Sequence, residues 1–264
     1  MIIALLFTVL PTQLIDIPFH VVYFALGRVW PSNENFCLFW LFVSIGIFDT
    51  TGLLLAYASI ERHLLVFYER WLMSKKRRIL LHYIPLLLVV LYSFIFYLYA
   101  ILFASCVNYF DYTAIWCSYP CYYDIRILSL YDTVMHVIVP TFVILFFSGA
   151  LFLRVIFQKR RLLARTQWRK HRKMIIQLLS VSSLLMVFNL PIAILMLAHL
   201  CGMSEDAGVV FGQYAYFLTY GIPLLLPFVC LLSLPEISKK LINRFLLQYR
   251  RIRPQGTATI HLSR

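Results

Sequence analysis

Charge is scarce in this chain. Only 13% of its 264 residues are Asp, Glu, Lys or Arg, and just 11 are acidic. A water-soluble globule of this size covers itself with polar groups, so this composition excludes one. Glycine is scarce too, at nine residues. That argues against the Gly-rich half-helices of a transporter, and no internal repeat is present. No Gly-x-Ser-x-Gly or His-x-x-x-His occurs, and the seven histidines are scattered. Neither a nucleophile elbow nor a metal-ligand set is encoded, so no enzyme, cofactor or metal site is expected.

Apolar side chains dominate instead: 62% of residues are hydrophobic and 17% aromatic. Apolar runs cover 1–26, 37–66, 79–104, 129–157, 174–200 and 210–232. Each exceeds the ~20 residues that a helical membrane span needs. Their length and their Leu, Phe and Ile content favour helices over the alternating strands of a barrel. The expected fold is an all-α membrane protein with six spans.

The net charge of +13 belongs to the loops. Segments 67–78, 158–173 and 235–264 hold 20 of the 24 Lys and Arg residues. Basic loops stay in the cytoplasm, which sets the orientation and removes nucleic acid as the partner. Anionic inner-leaflet lipid is the expected one. The first run is not a signal peptide, because it has no basic leader and Asp16 interrupts it. The bundle is expected over 1–234, with an amphipathic helix and short basic tail over 235–264. Both termini then lie in the cytoplasm.

Cys37, Cys106, Cys117, Cys121 and Cys201 fall at the outer face, where disulfides persist. Three of them lie in loop 105–128, which reads as a stapled lid. Sequence does not fix the pairing. Cys37–Cys121 with Cys106–Cys117 is preferred, and Cys37–Cys117 is the alternative.

Arg62 lies 25 residues after Cys37 on one apolar run. At about 1.5 Å per residue this is roughly 37 Å, a bilayer plus an interface. Glu61-Arg62-His63 therefore marks the face opposite Cys37. A Glu-Arg pair is costly to desolvate there, which points to a functional lock. The bland alternative is an arginine snorkelling from a helix end.

These residues resemble the rhodopsin-like G-protein-coupled receptors over nearly the whole chain. Trp30 stands seven residues before Cys37, and Glu61-Arg62-His63 stands where the family has Asp/Glu-Arg-Tyr. Pro140 fits the helix-five proline. Phe188-Asn189-Leu190-Pro191 fits the helix-six motif, and Leu226-Pro227-Phe228-Val229-Cys230 fits Asn-Pro-x-x-Tyr. Residues 236–250 fit the amphipathic eighth helix. The resemblance implies a seven-helix receptor bundle with family helices two to seven present and a first helix missing before residue 1. It implies a plasma-membrane receptor that activates a heterotrimeric G protein. Glu61 would hold Arg62 at rest, and Arg62 would then reach the G protein as helices kinked at Pro140, Pro191 and Pro227 pivot. The alternatives are a six-span transporter or channel, or a truncated, non-signalling receptor copy.

Several family residues are replaced. Asn189 stands for the helix-six tryptophan, Ser148 for the helix-five tyrosine, and Leu226 and Cys230 for the helix-seven asparagine and tyrosine. Helix two offers Thr8 and Val9 where many members have a sodium-binding aspartate, so no sodium site is expected. Ser44 occupies the place of the aspartate in amine receptors, which disfavours a small amine. The pocket candidates on the outer half are Asp16, Ser44, Phe48, Asp49, Asp132, His136 and Tyr216, with Gln13, His20, His199 and Gln213. Asp49 is the boldest, since an unpaired carboxylate in a span is expensive. With an acidic outer rim, the pattern is similar to invertebrate receptors for Arg-Phe-amide neuropeptides.

Overall fold

The computed structural model describes residues 2–67, 79–160, 165–204 and 207–232, with side chains for 4–64, 79–153, 179–204 and 207–229. The tail 235–264, the side chains of the basic segments 67–78 and 158–173, and the domain boundary at 234 lie outside the described residues. The described chain holds six helices long and apolar enough to cross a membrane: α1 (Ala4–Leu26), α2 (Glu34–Leu64), α3 (Ile79–Phe103), α4 (Arg126–Leu153), α5 (Leu179–Leu200) and α6 (Val209–Val229).

Helix α2 runs through the middle and touches α1, α3, α4 and α5, while α6 packs on α5 and returns to α1. One apolar cluster joins the helices: Leu5 and Val9 of α1, Leu54 and Leu55 of α2, Ile144 of α4, Leu185 of α5, and Ile222 and Leu226 of α6. The outer side of α3 is apolar and exposed, with Leu87, Leu88, Phe94 and Ile95 pointing away from the bundle. A lipid-facing helix has this inside-out character.

Prolines open carbonyls, and side chains of neighbouring helices close them. Pro227 has no N–H for the carbonyl of Pro223, and Gln13 of α1 donates its amide there. Pro85 leaves the carbonyl of Leu81 free, and the Tyr57 hydroxyl of α2 takes it. In hydrocarbon no water offers these bonds, so each proline creates a demand for a cross-helix tie.

The spans are not uniformly α-helical. Wider π-turns occupy Thr12–Asp16 in α1, Phe42–Ile47 in α2 and Thr133–Ile138 in α4. Such turns bulge the helix and re-aim its side chains, often at functional positions. Here they carry Asp16, Ser44, Gly46 and His136.

The disulfides are Cys37–Cys117 and Cys106–Cys121. This corrects the preferred pairing of Cys37 with Cys121 and Cys106 with Cys117. The lid folds back at Trp116, Cys117 and Ser118, three consecutive residues with positive φ, which turns Cys117 in toward Cys37. Cys121 is instead held beside the end of α3, where Asn108 accepts its backbone N–H and donates to the carbonyl of Ile101. Cys201 is free and exposed.

Candidate functional site

A cavity of about 390 Å³ opens among α2, α4, α5 and α6. Ser44, Phe48, Asp49, Asp132, His136 and Tyr216 line it, together with Pro140, Asn189 and Tyr123 of the lid. Two carboxyls thus face it, and among the described residues the lining contains no Lys or Arg. A second, apolar chamber of about 410 Å³ adjoins it, sharing Ile192, Met196 and Tyr216. Trp116, Leu195, Phe217, His199 and Gln213 complete its wall.

Asp49 and Asp132 are joined through a residue that the sequence did not single out. The Tyr97 hydroxyl lies 2.7 Å from Asp49 Oδ2 and 2.8 Å from Asp132 Oδ1. Tyr97 reaches this place because α3 crosses α2 at Gly46, where an added Cβ would sit 3.1 Å from Tyr97 Cβ. Asp132 also accepts from Tyr122 at 2.9 Å and pairs with His136 Nδ1 at 2.8 Å. Burial pushes the Tyr122 hydroxyl of the lid well above the ordinary phenol range, so it stays a donor.

Asp16 is not in the lining. It lies buried beside it, accepting from Trp40 Nε1 at 2.8 Å and from the Ser44 hydroxyl. Above it His20 packs edge-on against Trp40, Trp116 and Tyr220. Trp40 is the second residue missed. Its signal was available: a buried indole N–H needs an acceptor, and Asp16 is the buried carboxylate on the adjacent span. On the lid's exposed edge, the hydroxyl and the backbone N–H of Thr113 hold the Asp111 carboxyl below its usual range.

At the opposite end, Glu61 is buried, and its partner is His82 of α3, with Nδ1 2.7 Å from Oε1. No ion pair joins Glu61 to Arg62 among the described residues. The expected Glu61–Arg62 lock is therefore replaced, because the side chain of Glu61 reaches α3. His63 packs against Phe147 of α4.

The replaced family positions have partners of their own. Ser148 donates to Ser182 at 2.7 Å, and Asn189 donates to Thr141 at 3.1 Å, so both tie α4 to α5. Leu226 shares one apolar cluster with Val9 of α1. The three prolines expected to kink helices spread out: Pro140 faces the cavity, Pro191 lies within α5, and Pro227 within α6.

The family described as 7 transmembrane receptor (rhodopsin family) matches residues 2–229. The chain belongs to this family. The six spans are six of the receptor bundle's helices, and the protein is a multi-pass membrane receptor rather than an enzyme. No individual characterised protein matches it. In this receptor the cavity sits at the disulfide end, and the Glu61-Arg62-His63 segment sits at the other.

Proposed function

We propose that the receptor binds an extracellular peptide with a basic residue beside an aromatic, amidated one, and that it activates a heterotrimeric G protein at the plasma membrane. The carrying observation is the lining of the main cavity, with two carboxyls and, among the described residues, no Lys or Arg. A buried acidic surface needs a cationic ligand group to compensate it. The adjoining apolar chamber, walled by Trp116, Leu195 and Phe217, suits an aromatic side chain.

The basic segments face the cytoplasm in this reading, and the disulfide-pinned lid faces outward. Ligand entry shifts the population toward a packing in which α5 has moved away from α4. Arg62 then contacts the G protein. Calcium release or inositol phosphate formation in cells expressing the receptor, screened against amidated peptides, tests the reading. Responses to Arg-Phe-amide peptides support it, and responses confined to lipids or odorants sink it.

A further inference from the structure

The carboxyl–tyrosine–carboxyl bridge has a proton inventory that geometry constrains. Tyr97 Oη is within hydrogen-bond distance of both Asp49 Oδ2 and Asp132 Oδ1. A phenol owns one proton, and an ionised carboxylate only accepts. Tyr97 therefore donates to one carboxyl and must receive a proton from the other. Asp132 already faces two further groups, the Tyr122 hydroxyl on Oδ2 and His136 Nδ1 on Oδ1. Donors on both of its oxygens favour the ionised form of Asp132, so the additional proton falls to Asp49 Oδ2, and Oδ2 of Asp132 keeps a lone pair open. The site then reads Asp49–OH to Tyr97, and Tyr97–OH to Asp132 carboxylate.

We propose that this bridge is the anchor for a guanidinium or ammonium group, and that the cation enters by displacing the proton held on Asp49. This rests on the reading of a basic peptide ligand and adds its contact atoms and its proton stoichiometry. The charge balances: one proton leaves to solvent as one positive group arrives, and the two carboxylates then share that group. Tyr97 keeps its own proton. His136 supplies a further acceptor. Its Nδ1 is turned to Asp132, and its buried Nε2 has no partner among the described residues. A guanidinium brings five N–H donors, more than the two aspartates alone occupy.

The other ionisable groups near the bridge are phenols and one carboxylate. Tyr92 of α3 stacks on His136 and bonds Tyr131 of α4. Tyr123 comes from the lid, Tyr216 from α6, and Asp16 of α1 is reached through Ser44. Helix α5 contributes Asn189 and apolar side chains to the lining, with no ionisable group. Among the described residues, no fixed cation competes with the ligand there.

Release of a proton on binding makes affinity for the cation rise with pH, by up to about tenfold per unit while the proton is held. Ligand-free receptor, purified in nanodiscs, is first read by infrared difference spectroscopy in H₂O and D₂O. The carbonyl stretch of a protonated buried carboxyl is expected in the wild type and lost in both Asp49→Asn and Asp132→Asn, since either substitution removes the need to share. Its absence from the wild type, or its survival in either variant, overturns the shared proton. Absence of the band from the wild type overturns the proposal even where a variant does not fold. The second measurement adds arginyl-phenylalaninamide, with the neutral isostere citrullyl-phenylalaninamide as control. The band is expected to vanish with the arginyl probe alone, whose affinity rises between pH 6 and 7. Binding of the arginyl probe with the band intact overturns the displacement. A band that stands in the ligand-free receptor while neither probe binds leaves the shared proton in place and counts against both the cationic anchor and the peptide reading.

Discussion

His82 Nδ1 lies 2.7 Å from Glu61 Oε1, so the acid beside Arg62 is held by α3 rather than by its sequence neighbour. An arginine not clamped by that acid is the one expected to reach a G protein without help. Basal guanine-nucleotide exchange is therefore expected to be measurable without ligand, and to fall in His82→Ala, where Glu61 is released to Arg62. The variant also breaks the contact that ties α3 to α2 through Glu61, so a lower melting temperature is expected. Basal exchange that rises in His82→Ala sinks the idea.

Arg62→Ala is expected to abolish ligand-driven exchange at unchanged surface abundance. Intact coupling in that variant removes Arg62 from the transduction step.

Two hydrogen bonds hold α5 against α4, Ser148 to Ser182 and Asn189 to Thr141. Each is worth about 0.5–1.5 kcal/mol net. If α5 separates on activation, Ser182→Ala and Asn189→Ala each raise basal exchange by roughly two- to tenfold. Unchanged basal exchange in both variants argues that α4 and α5 stay together.

An added Cβ at Gly221 would lie 2.4 Å from Phe188 Cε1. Gly221→Ala is expected to destabilise by about 1–3 kcal/mol through overpacking, measured as a lower melting temperature. The paired Gly221→Ala, Phe188→Leu variant should recover part of the loss, because the two residues are coupled by contact. Simple additivity would mean that they are not.

Peptide mapping without reduction is expected to recover Cys37 linked to Cys117 and Cys106 linked to Cys121. The first closes a sequence separation of 80 residues and the second one of 15. Loop-closure entropy makes the longer one the larger contributor, about 4–5 against 3 kcal/mol in the chain-entropy picture. Equal losses for Cys37→Ser and Cys106→Ser would contradict that ranking.

The spans were legible because hydropathy over some 20 residues is a strong signal and the bilayer fixes its length. Ser44, Asp49, Asp132, His136 and Tyr216 line the cavity as a simpler rule expects, since a polar residue in a span must turn inward, whereas Phe48 has no such signal. Asp16 obeyed that rule and still lies outside the cavity wall, because Trp40 and Ser44 take it first. Tyr97 was not legible. In a run with so many aromatics nothing marks one phenol as the bridge, and its placement depends on Gly46 of another helix. The partner of Glu61 was hidden for the same reason: His82 is 21 residues away and meets it only through the packing of α3 on α2. The lid pairing depended on three left-handed residues, none of them glycine. Glu61-Arg62-His63 alone gave no hint of that geometry.

The bond from Trp40 to Asp16 spans only 24 residues and joins two helices linked by a short turn. A carboxylate crossing into a bilayer alone is a heavy load. Carried in as a hairpin, α1 and α2 arrive with that group already bonded to Trp40, so these two spans can settle before α3 emerges. The Asp49–Tyr97–Asp132 bridge has no such early partner. It is completed only when α4 joins, which makes the ligand anchor one of the later parts of the molecule to form during synthesis.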